Sequence, residues 1–461
     1  MTAPEIIVRT PDSRLAEREY VLHVILTDFL GLPFTLAPQA RVDVELTVRG
    51  ENGDIRLPDI LFALPDEQWG QPASLPAEPV SRLAAAPGSA PVAALYCATD
   101  AETAVRSRDT TTWIEFDLLG SCFYLLTRYE ERVAAKTDLD EHGRFPARSS
   151  LLLREQLLER PLVDEYVRLL RDALEKTWPE ITQPPGQYRL SITHDIDHPF
   201  NACGQPFSRV VRRAAGDILK RRNFKAMSRR LGTFFSQNPD TDPNNTFDLL
   251  MDQSEAAGTV SRFHFMAADA TRFDSGYDIA MPQLRPILKR ISERNHEIGW
   301  HPGYRTSDDS SLFRTEKLRL EEALGRAGVS DWAHASRQHY LRWNPHTTWR
   351  ELDKLGIRID SSVGFADQPG FRCGTSRPFP VFDWSRSLRL ELREQPLLVM
   401  DATLDGATYM GLDWNSALQK IADLVAVCKH HGSPMTLLWH NDRFQTPEAR
   451  QQYLDVMQTV R

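Results

Sequence analysis

The sequence predicts an α/β protein of two domains, a smaller α+β domain followed by a larger domain of alternating strands and helices. The chain has 461 residues, more than one hydrophobic core usually serves. A proline-containing break, Gln183–Gln187, separates a helical pattern from a strand-like run. Beyond it, strand and helix patterns alternate, which predicts a parallel sheet or a barrel. We therefore assign residues 1–185 to the first domain and 186–461 to the second.

The first domain has a mixed pattern. Residues 42–49 alternate between apolar and polar side chains, as a half-buried strand does. Residues 117–132 and 162–176 have the apolar spacing of helices. The stretch Pro72–Pro91 is rich in alanine and proline, so we expect a long surface loop there.

The second domain repeats a strand followed by a helix. Its reactive groups are expected at the carboxyl ends of the strands, where such folds carry their active sites. Strands are predicted at residues 188–193, 261–267, 297–300, 357–360 and 435–439, and helices at 282–295, 311–327, 347–355 and 415–431. Five polar residues lie just past these strands or late in them, namely Asp195, His301, Arg337, Asp360 and His440.

The segment Ser191–Phe200, SITHDIDHPF, carries the strongest chemical signal. Strand alternation points Asp195 and Asp197 the same way, and His198 follows directly. Polar groups that leave an apolar strand together are costly unless they bind something. Carboxylate and imidazole favour a divalent metal, first Zn, with Co, Ni or Fe also compatible. The alternative is a solvated loop whose aspartate caps the next helix.

Three further motifs contain candidate residues. HEIGWHPGYRT supplies His301, RQHYLRW supplies Arg337 and His339, and TLLWHND supplies His440. Each motif is weak by itself, because a single histidine more often has a structural role. Their positions at equivalent ends of successive strand–helix units make them stronger together.

In order and spacing, THDID, HEIGWH, Arg337, the RIDSSVGFAD segment and LLWH resemble the five motifs of the NodB-type polysaccharide deacetylases. The resemblance covers residues 188–461. It implies a distorted (β/α) barrel and a metal-dependent hydrolase that removes an N-acetyl or related acyl group from a sugar. The implied substrates are an N-acylated sugar, a sugar nucleotide or a lipid-linked glycan.

The resemblance also implies catalytic roles. Asp195 corresponds to the general base and His440 to the general acid. Arg337 corresponds to the arginine that orients the base. Asp401, in PLLVMDATL, is a candidate partner for His440.

For the metal, the resemblance assigns Asp197 and His301 as ligands. The second histidine of the family motif falls four residues later, where this chain has Arg305, which cannot bind a metal. We expect His198 as the third ligand because it lies beside Asp197. Other histidines are ranked below it, namely His194, His264, His296 and His339.

A basic segment follows the first motif. Residues 209–230 contain nine basic side chains against one acid, with an apolar stripe at helical spacing. One interpretation is a surface helix with a solvated basic face. The other is an element near the active site that contacts phosphates of a sugar nucleotide, or a lipid-linked sugar at a membrane.

Net charge, cysteine content and the N-terminal pattern indicate which partners and which compartment to expect. A net charge of −8 argues against nucleic acid as a partner. Five scattered cysteines without a C-x-x-C motif indicate a reducing compartment. No signal-peptide pattern precedes residue 15, so a cytoplasmic location is expected, with peripheral contact at the inner face of the membrane as an extension.

Gly120–Arg132 and Asp140–Ser150 resemble an uncharacterised N-terminal domain that accompanies some cytoplasmic deacetylases of this group. We hypothesise that it selects substrate or mediates dimerisation.

Two alternatives to a sugar deacetylase stay open. The absent histidine at Arg305 favours a degenerate carbohydrate-binding or scaffold protein. The same catalytic residues would also serve an amidase that acts on a non-sugar substrate.

Overall fold

The computed structural model describes residues 5–85, 88, 90–98, 101–181, 186–219, 222 and 224–461. The chain divides into two compact units. Unit 1 comprises Met1–Tyr188, Gly370–Pro396 and Lys429–Ser433, and unit 2 comprises Arg189–Pro369, Leu397–Cys428 and Pro434–Arg461. Residues 183–185 of the expected linker lie outside the described residues. The assignment of domains to 1–185 and 186–461 stays a prediction.

Unit 1 contains a six-stranded mixed sheet with the order β2-β1-β3-β4-β8-β7 and a separate pair, β5 and β6. Numbered in chain order, the strands are β1 Ile6–Thr10, β2 Phe34–Pro38, β3 Asp43–Val48, β4 Asp54–Pro58, β5 Ser81–Leu83, β6 Val92–Ala94, β7 Val105–Arg108 and β8 Thr111–Ile114. The helices are α1 Leu15–Leu22, α2 Leu118–Leu126, α3 Tyr129–Val133, α4 Leu151–Arg154 and α5 Leu162–Thr177.

The local sequence explains these elements. The predicted strand at 42–49 is confirmed as β3, whose Val44, Leu46 and Val48 are buried. The single helix predicted at 117–132 is wrong, because Arg128 has a φ of 53° and separates α2 from α3. The predicted loop at 72–91 contains β5, and residues 86, 87 and 89 lie outside the described part of the chain.

A segment from the second half of the chain completes unit 1. Residues 370–396 contain the antiparallel strands β14, Phe379–Asp383, and β15, Leu388–Glu394. Glu131 accepts hydrogen bonds from Arg128 Nε at 2.8 Å and from Arg372 Nε and Nη2 at 2.8 and 2.6 Å. All three side chains are at most 3% exposed. This buried ion network joins parts of the chain that are 241 residues apart.

Unit 2 is built on parallel strands in the order β13-β12-β11-β10-β9-β17-β16. These are β9 Leu190–Ile196, β10 Ser261–Met266, β11 Glu297–His301, β12 Ala335–Ser336, β13 Ile359–Asp360, β16 Val399–Met400 and β17 Met435–Leu438. The helices are α6 Phe207–Leu219, α7 Phe224–Ser236, α8 Phe247–Ala256, α9 Arg285–Glu293, α10 Ser311–Ala327, α11 Thr348–Lys354, α12 Asp401–Asp405, α13 Trp414–His431 and α14 Pro447–Thr459.

The α/β class is confirmed, and the strands and helices predicted for residues 188–461 are present with shifted ends. The strands are largely buried; every residue of β10, for example, is at most 8% exposed. All the neighbouring strands of unit 2 run parallel, so their carboxyl ends meet at one edge of the sheet. The closure of this sheet into a distorted barrel stays a prediction.

The ion network of unit 1 generates a stability prediction. We expect Glu131→Gln to lower the free energy of unfolding by about 3–5 kcal/mol, because it leaves two buried guanidinium groups undercompensated. Urea denaturation would measure the change. The matched control is Glu322→Gln, which removes an exposed pair with Arg326 whose side chains are 71% and 64% exposed. That control should change stability by less than about 1 kcal/mol. Equal effects of the two substitutions would contradict this account.

Candidate metal centre and active site

The candidate site lies at the carboxyl edge of the parallel sheet. Asp195 is the penultimate residue of β9, and His301 is the final residue of β11. The other residues expected from the sequence follow strands directly, namely Asp197 after β9, Arg337 after β12, Asp401 after β16 and His440 two residues after β17. Because these strands are parallel, their ends bring the side chains to one edge.

Three side chains form a cluster with the composition of a metal site. Asp197, His301 and His339 each offer one ligand atom, and these atoms lie within 4.8 Å of one another. His301 Nε2 is 3.3 Å from Asp197 Oδ1, and His339 Nε2 is 3.6 Å from Asp197 Oδ2. The two imidazole rings meet edge to face with centroids 5.0 Å apart.

The hydrogen bonds of the two histidines fix which nitrogen faces the carboxylate. His301 Nδ1 donates to the carbonyl of Arg337 at 2.6 Å, and His339 Nδ1 donates to Asp274 Oδ1 at 2.8 Å. A carbonyl or carboxylate oxygen accepts only, so each Nδ1 carries the proton. In the neutral rings, Nε2 then has a free lone pair aimed towards Asp197. Metal-binding histidines have this arrangement of a ligating nitrogen and a donating one.

This geometry fits a divalent cation. Asp197 Oδ1 is buried and has no hydrogen-bond partner among the described residues. A carboxylate that faces two imidazole lone pairs is repelled by them unless a positive charge lies between. Burial lowers the pKa of His339, but Asp197 and Asp274 outweigh burial and raise it to about 9. The cluster therefore attracts a proton or a cation. One carboxylate oxygen and two imidazole nitrogens suit Zn²⁺, and Co, Ni or Fe are compatible.

The third member of the cluster is His339, whereas the sequence favoured His198. Half-buried His198 lies outside the cluster, and its carbonyl accepts from Asn441 Nδ2 at 3.1 Å. His339 is positioned by an unusual turn, because Tyr340 and Leu341 have φ values of 60° and 54°. A non-glycine residue adopts this left-handed backbone conformation only at a cost in free energy, so surrounding contacts must hold the turn. Arg305, at the family's histidine position, is exposed.

Asp195 is held by a fully buried arginine. Arg337 Nη1 donates to Asp195 Oδ1 at 3.0 Å and to Thr193 Oγ1 at 2.8 Å. Its Nε and Nη2 donate to the carbonyl and hydroxyl of Ser361 at 2.9 and 2.8 Å. Burial raises the pKa of Asp195, but Arg337 outweighs burial, and the pKa lies well below its usual range. Asp195 is thus an oriented carboxylate at neutral pH.

His440 is paired with Asp401. His440 Nδ1 is 2.7 Å from Asp401 Oδ1, and the backbone N–H of His440 donates to Asp401 Oδ2 at 2.8 Å. Burial lowers the pKa of His440, but Asp401 outweighs this effect and raises it to about 10. The free nitrogen, Nε2, lies 3.9 Å from Asp197 Oδ2. A protonated imidazole therefore stands beside the candidate metal centre.

Three supporting residues surround the site, and of these only Asp274 was not indicated by the sequence. His264 Nδ1 lies 3.2 Å from Asp195 Oδ1, and burial lowers the pKa of His264 to about 3, which keeps it neutral. Asp274 comes from a loop with no strand pattern, so nothing in the sequence distinguishes it. Asp360, at the end of β13, accepts hydrogen bonds from Ser336 and Ser362 at 2.8 Å. The bond from Ser336 links the ends of β12 and β13.

Comparisons with known proteins add the following findings. Residues 6–179 match a family described only as a family of unknown function, DUF7033. No curated protein matches the chain. A solved structure described as a "putative polysaccharide deacetylase from Mycobacterium smegmatis" is similar at 15% identity and a TM-score of 0.39, covering 60% of this chain and 85% of that one.

The metal cluster generates a direct prediction. We expect His301→Ala and His339→Ala each to lower bound zinc from about one ion per chain to a small fraction, because each removes one of three protein ligands. Elemental analysis of the purified, dialysed protein measures this. His198→Ala is the matched control and should retain zinc. A variant lacking His339 that binds zinc normally would contradict the assignment.

Asp274 provides a second, graded prediction. Asp274→Asn should weaken zinc binding by about 10–100-fold, because a neutral amide holds His339 Nδ1–H less firmly than a carboxylate. Competition with a chromogenic chelator measures the dissociation constant. Asp308→Asn serves as the control, since Asp308 is exposed and pairs with Arg342 on the surface. If Asp274→Asn binds zinc with unchanged affinity, Asp274 does not position His339.

Proposed function

We propose that this protein is a metal-dependent hydrolase that removes an N-acetyl or related acyl group from an amino sugar or glycan precursor. The observation that supports it best is the convergence of a carboxylate base candidate, a protonated imidazole and a three-residue metal cluster at one sheet edge. The motif resemblance of residues 188–461 gives the substrate class. Hydrolysis of an amide needs a proton acceptor for water and a proton donor for the departing amine.

In this proposal Asp197, His301 and His339 hold the cation. A divalent cation there would supply Lewis-acid chemistry, polarising the acyl carbonyl and making water more acidic. Asp195 accepts the proton of the attacking water, and Arg337 keeps that carboxylate ionised and aimed. The fully buried guanidinium leaves Asp195 little freedom to turn away, so the carboxylate is preorganised for this transfer.

His440 is the proposed proton donor to the leaving amine. Its Nδ1 is engaged by Asp401, so Nε2 is the nitrogen that reaches substrate. Asp401 is a positioning residue, because it orients the ring and stabilises the imidazolium form. Arg443 Nε lies 3.3 Å from Asp401 Oδ2 and holds the carboxylate in turn.

The cluster bears on the alternative of a degenerate binding protein. That alternative depended on the missing histidine at Arg305, and His339 offers an imidazole from another loop. A binding module would not require the buried Arg337–Asp195 pair and the His440–Asp401 pair beside the same cluster. We therefore favour the enzyme. An amidase that acts on a non-sugar substrate uses the same residues and is distinguished by assay.

The test is acetate release from a panel of N-acetylated hexosamine oligomers, a nucleotide-linked N-acetylhexosamine and a simple aryl acetamide. On the best substrate, Asp195→Asn and His440→Ala should each lower kcat by about 10²–10⁴-fold, since each removes a proton-transfer group. Asp195→Asn should retain its zinc, because Asp195 is not a ligand in this proposal.

The matched control is Asp442→Asn, which changes a neighbouring carboxylate with no assigned role. It should retain activity within a few-fold. Full activity in Asp195→Asn would contradict the assigned roles. Hydrolysis of the aryl acetamide alone would move the substrate class from sugars to other amides.

A further inference from the structure

Helices α6 and α7 form a helical hairpin, which we define as residues 207–236. The helices pack antiparallel, because Phe207 at the start of α6 meets Phe234 near the end of α7, with ring centroids 5.6 Å apart. Val210, Ala214, Arg230 and Thr233 of the hairpin are buried. The opposite face of the hairpin points to solvent. Lys220 and Arg221 of the predicted basic segment lie outside the described residues.

The solvent face of the hairpin is unusually apolar. Ten large apolar side chains are exposed among the described residues of the whole chain, and five of them fall in these 30 positions. Along α6 they form a broad stripe that covers about a third of the helix circumference. Its members Phe207, Val211 and Leu219 are 59%, 42% and 80% exposed. On α7, Phe224 and Phe235 are 64% and 74% exposed and lie three turns apart.

The hairpin also exposes positive charge. Arg212, Arg222, Lys225 and Arg229 are exposed. The sequence of the hairpin has nine basic residues and one acid, Asp217, in a chain with a net charge of −8. Exposed phenylalanine and leucine flanked by arginine and lysine is the pattern of helices that lie in the interface of an anionic bilayer.

The base of the hairpin is fastened to the active-site loops. Arg209 Nη1 and Nη2 donate to the carbonyl of Ser275 at 3.3 Å, and Ser275 Oγ donates to the carbonyl of Asp197 at 2.5 Å. Arg213 Nη1 donates to the carbonyl of Asn201 at 3.3 Å. The hairpin is therefore attached to the loop that carries Asp197, the candidate metal ligand.

We propose that the helical hairpin is a peripheral docking surface for an anionic lipid bilayer. The apolar stripes insert among the headgroups while the four exposed cations neutralise lipid phosphates. No described helix is long and apolar enough to cross a bilayer, so the contact is interfacial. It presents the active-site loops to molecules carried on lipid. The extension to a lipid-linked amino sugar rests on the proposed function, whereas membrane docking does not.

Two other partners fit the surface less well. Nucleic acid would use the cations but leaves exposed Leu219, Phe224 and Phe235 without a role. A second copy of the chain would cover the apolar stripes, but it would bring the exposed cations of both copies together. An anionic bilayer satisfies both features at once.

Co-sedimentation with vesicles tests the proposal without reference to activity. The wild-type chain should bind vesicles of 30% phosphatidylglycerol in phosphatidylcholine, bind phosphatidylcholine alone at least about tenfold more weakly, and lose affinity as salt is raised. The triple variant Leu219→Ser/Phe224→Ser/Phe235→Ser should lower the partition coefficient at least about tenfold. Arg212→Gln/Lys225→Gln/Arg229→Gln should remove the preference for the anionic lipid.

The matched control is Val42→Ser/Val260→Ser/Leu318→Ser, which removes three exposed apolar side chains elsewhere and should bind as the wild type does. Unchanged zinc content and urea midpoint show that each variant is folded. Equal binding to neutral vesicles, no binding, or equal loss in the control would overturn the proposal. So would a dimer in light scattering that the hairpin triple variant dissociates, since the surface would then serve a second copy.

Discussion

The candidate site depends on the carboxylate of Asp197, whose two oxygens, one of them buried, face the Nε2 atoms of two imidazoles. Neither imidazole can turn away, because the second nitrogen of each ring is held by an acceptor, the carbonyl of Arg337 for His301 and Asp274 for His339. Such an arrangement is unstable without a positive charge at its centre. A divalent cation meets that requirement, and the two histidines with one carboxylate give it the open coordination that hydrolases use.

The surrounding charges follow from burial. Asp195 is 2% exposed, so its negative charge requires a partner at close range. Arg337 provides that partner from the end of β12, which two strands separate from β9 in the sheet. Asp401 is 3% exposed and is matched by His440 and Arg443. Each pair leaves one functional atom directed towards the cluster. The parallel sheet makes this possible, because side chains distant in sequence leave its strands at a shared edge.

Much of unit 2 could be predicted because its signals are local. Apolar periodicity located the strands, and Asp195 and His301 are candidates because they lie at predicted strand ends. The sequence favours His198 over His339 because His198 lies beside Asp197. The place of His339 depends on a left-handed turn at Tyr340, which no sequence pattern specifies. The sequence could not predict that residues 370–396 belong to unit 1. Their place there depends on contacts such as Glu131–Arg372, which join positions 241 residues apart.

The central claim is that this chain binds one divalent cation through Asp197, His301 and His339. The most direct measurement is anomalous diffraction at the zinc edge from crystals of the zinc-loaded protein. The account predicts one strong peak, with His301 Nε2, His339 Nε2 and an oxygen of Asp197 each about 2.0–2.2 Å away. A peak coordinated by His198 in place of His339, or no peak at this edge of the sheet at saturating zinc, would contradict it.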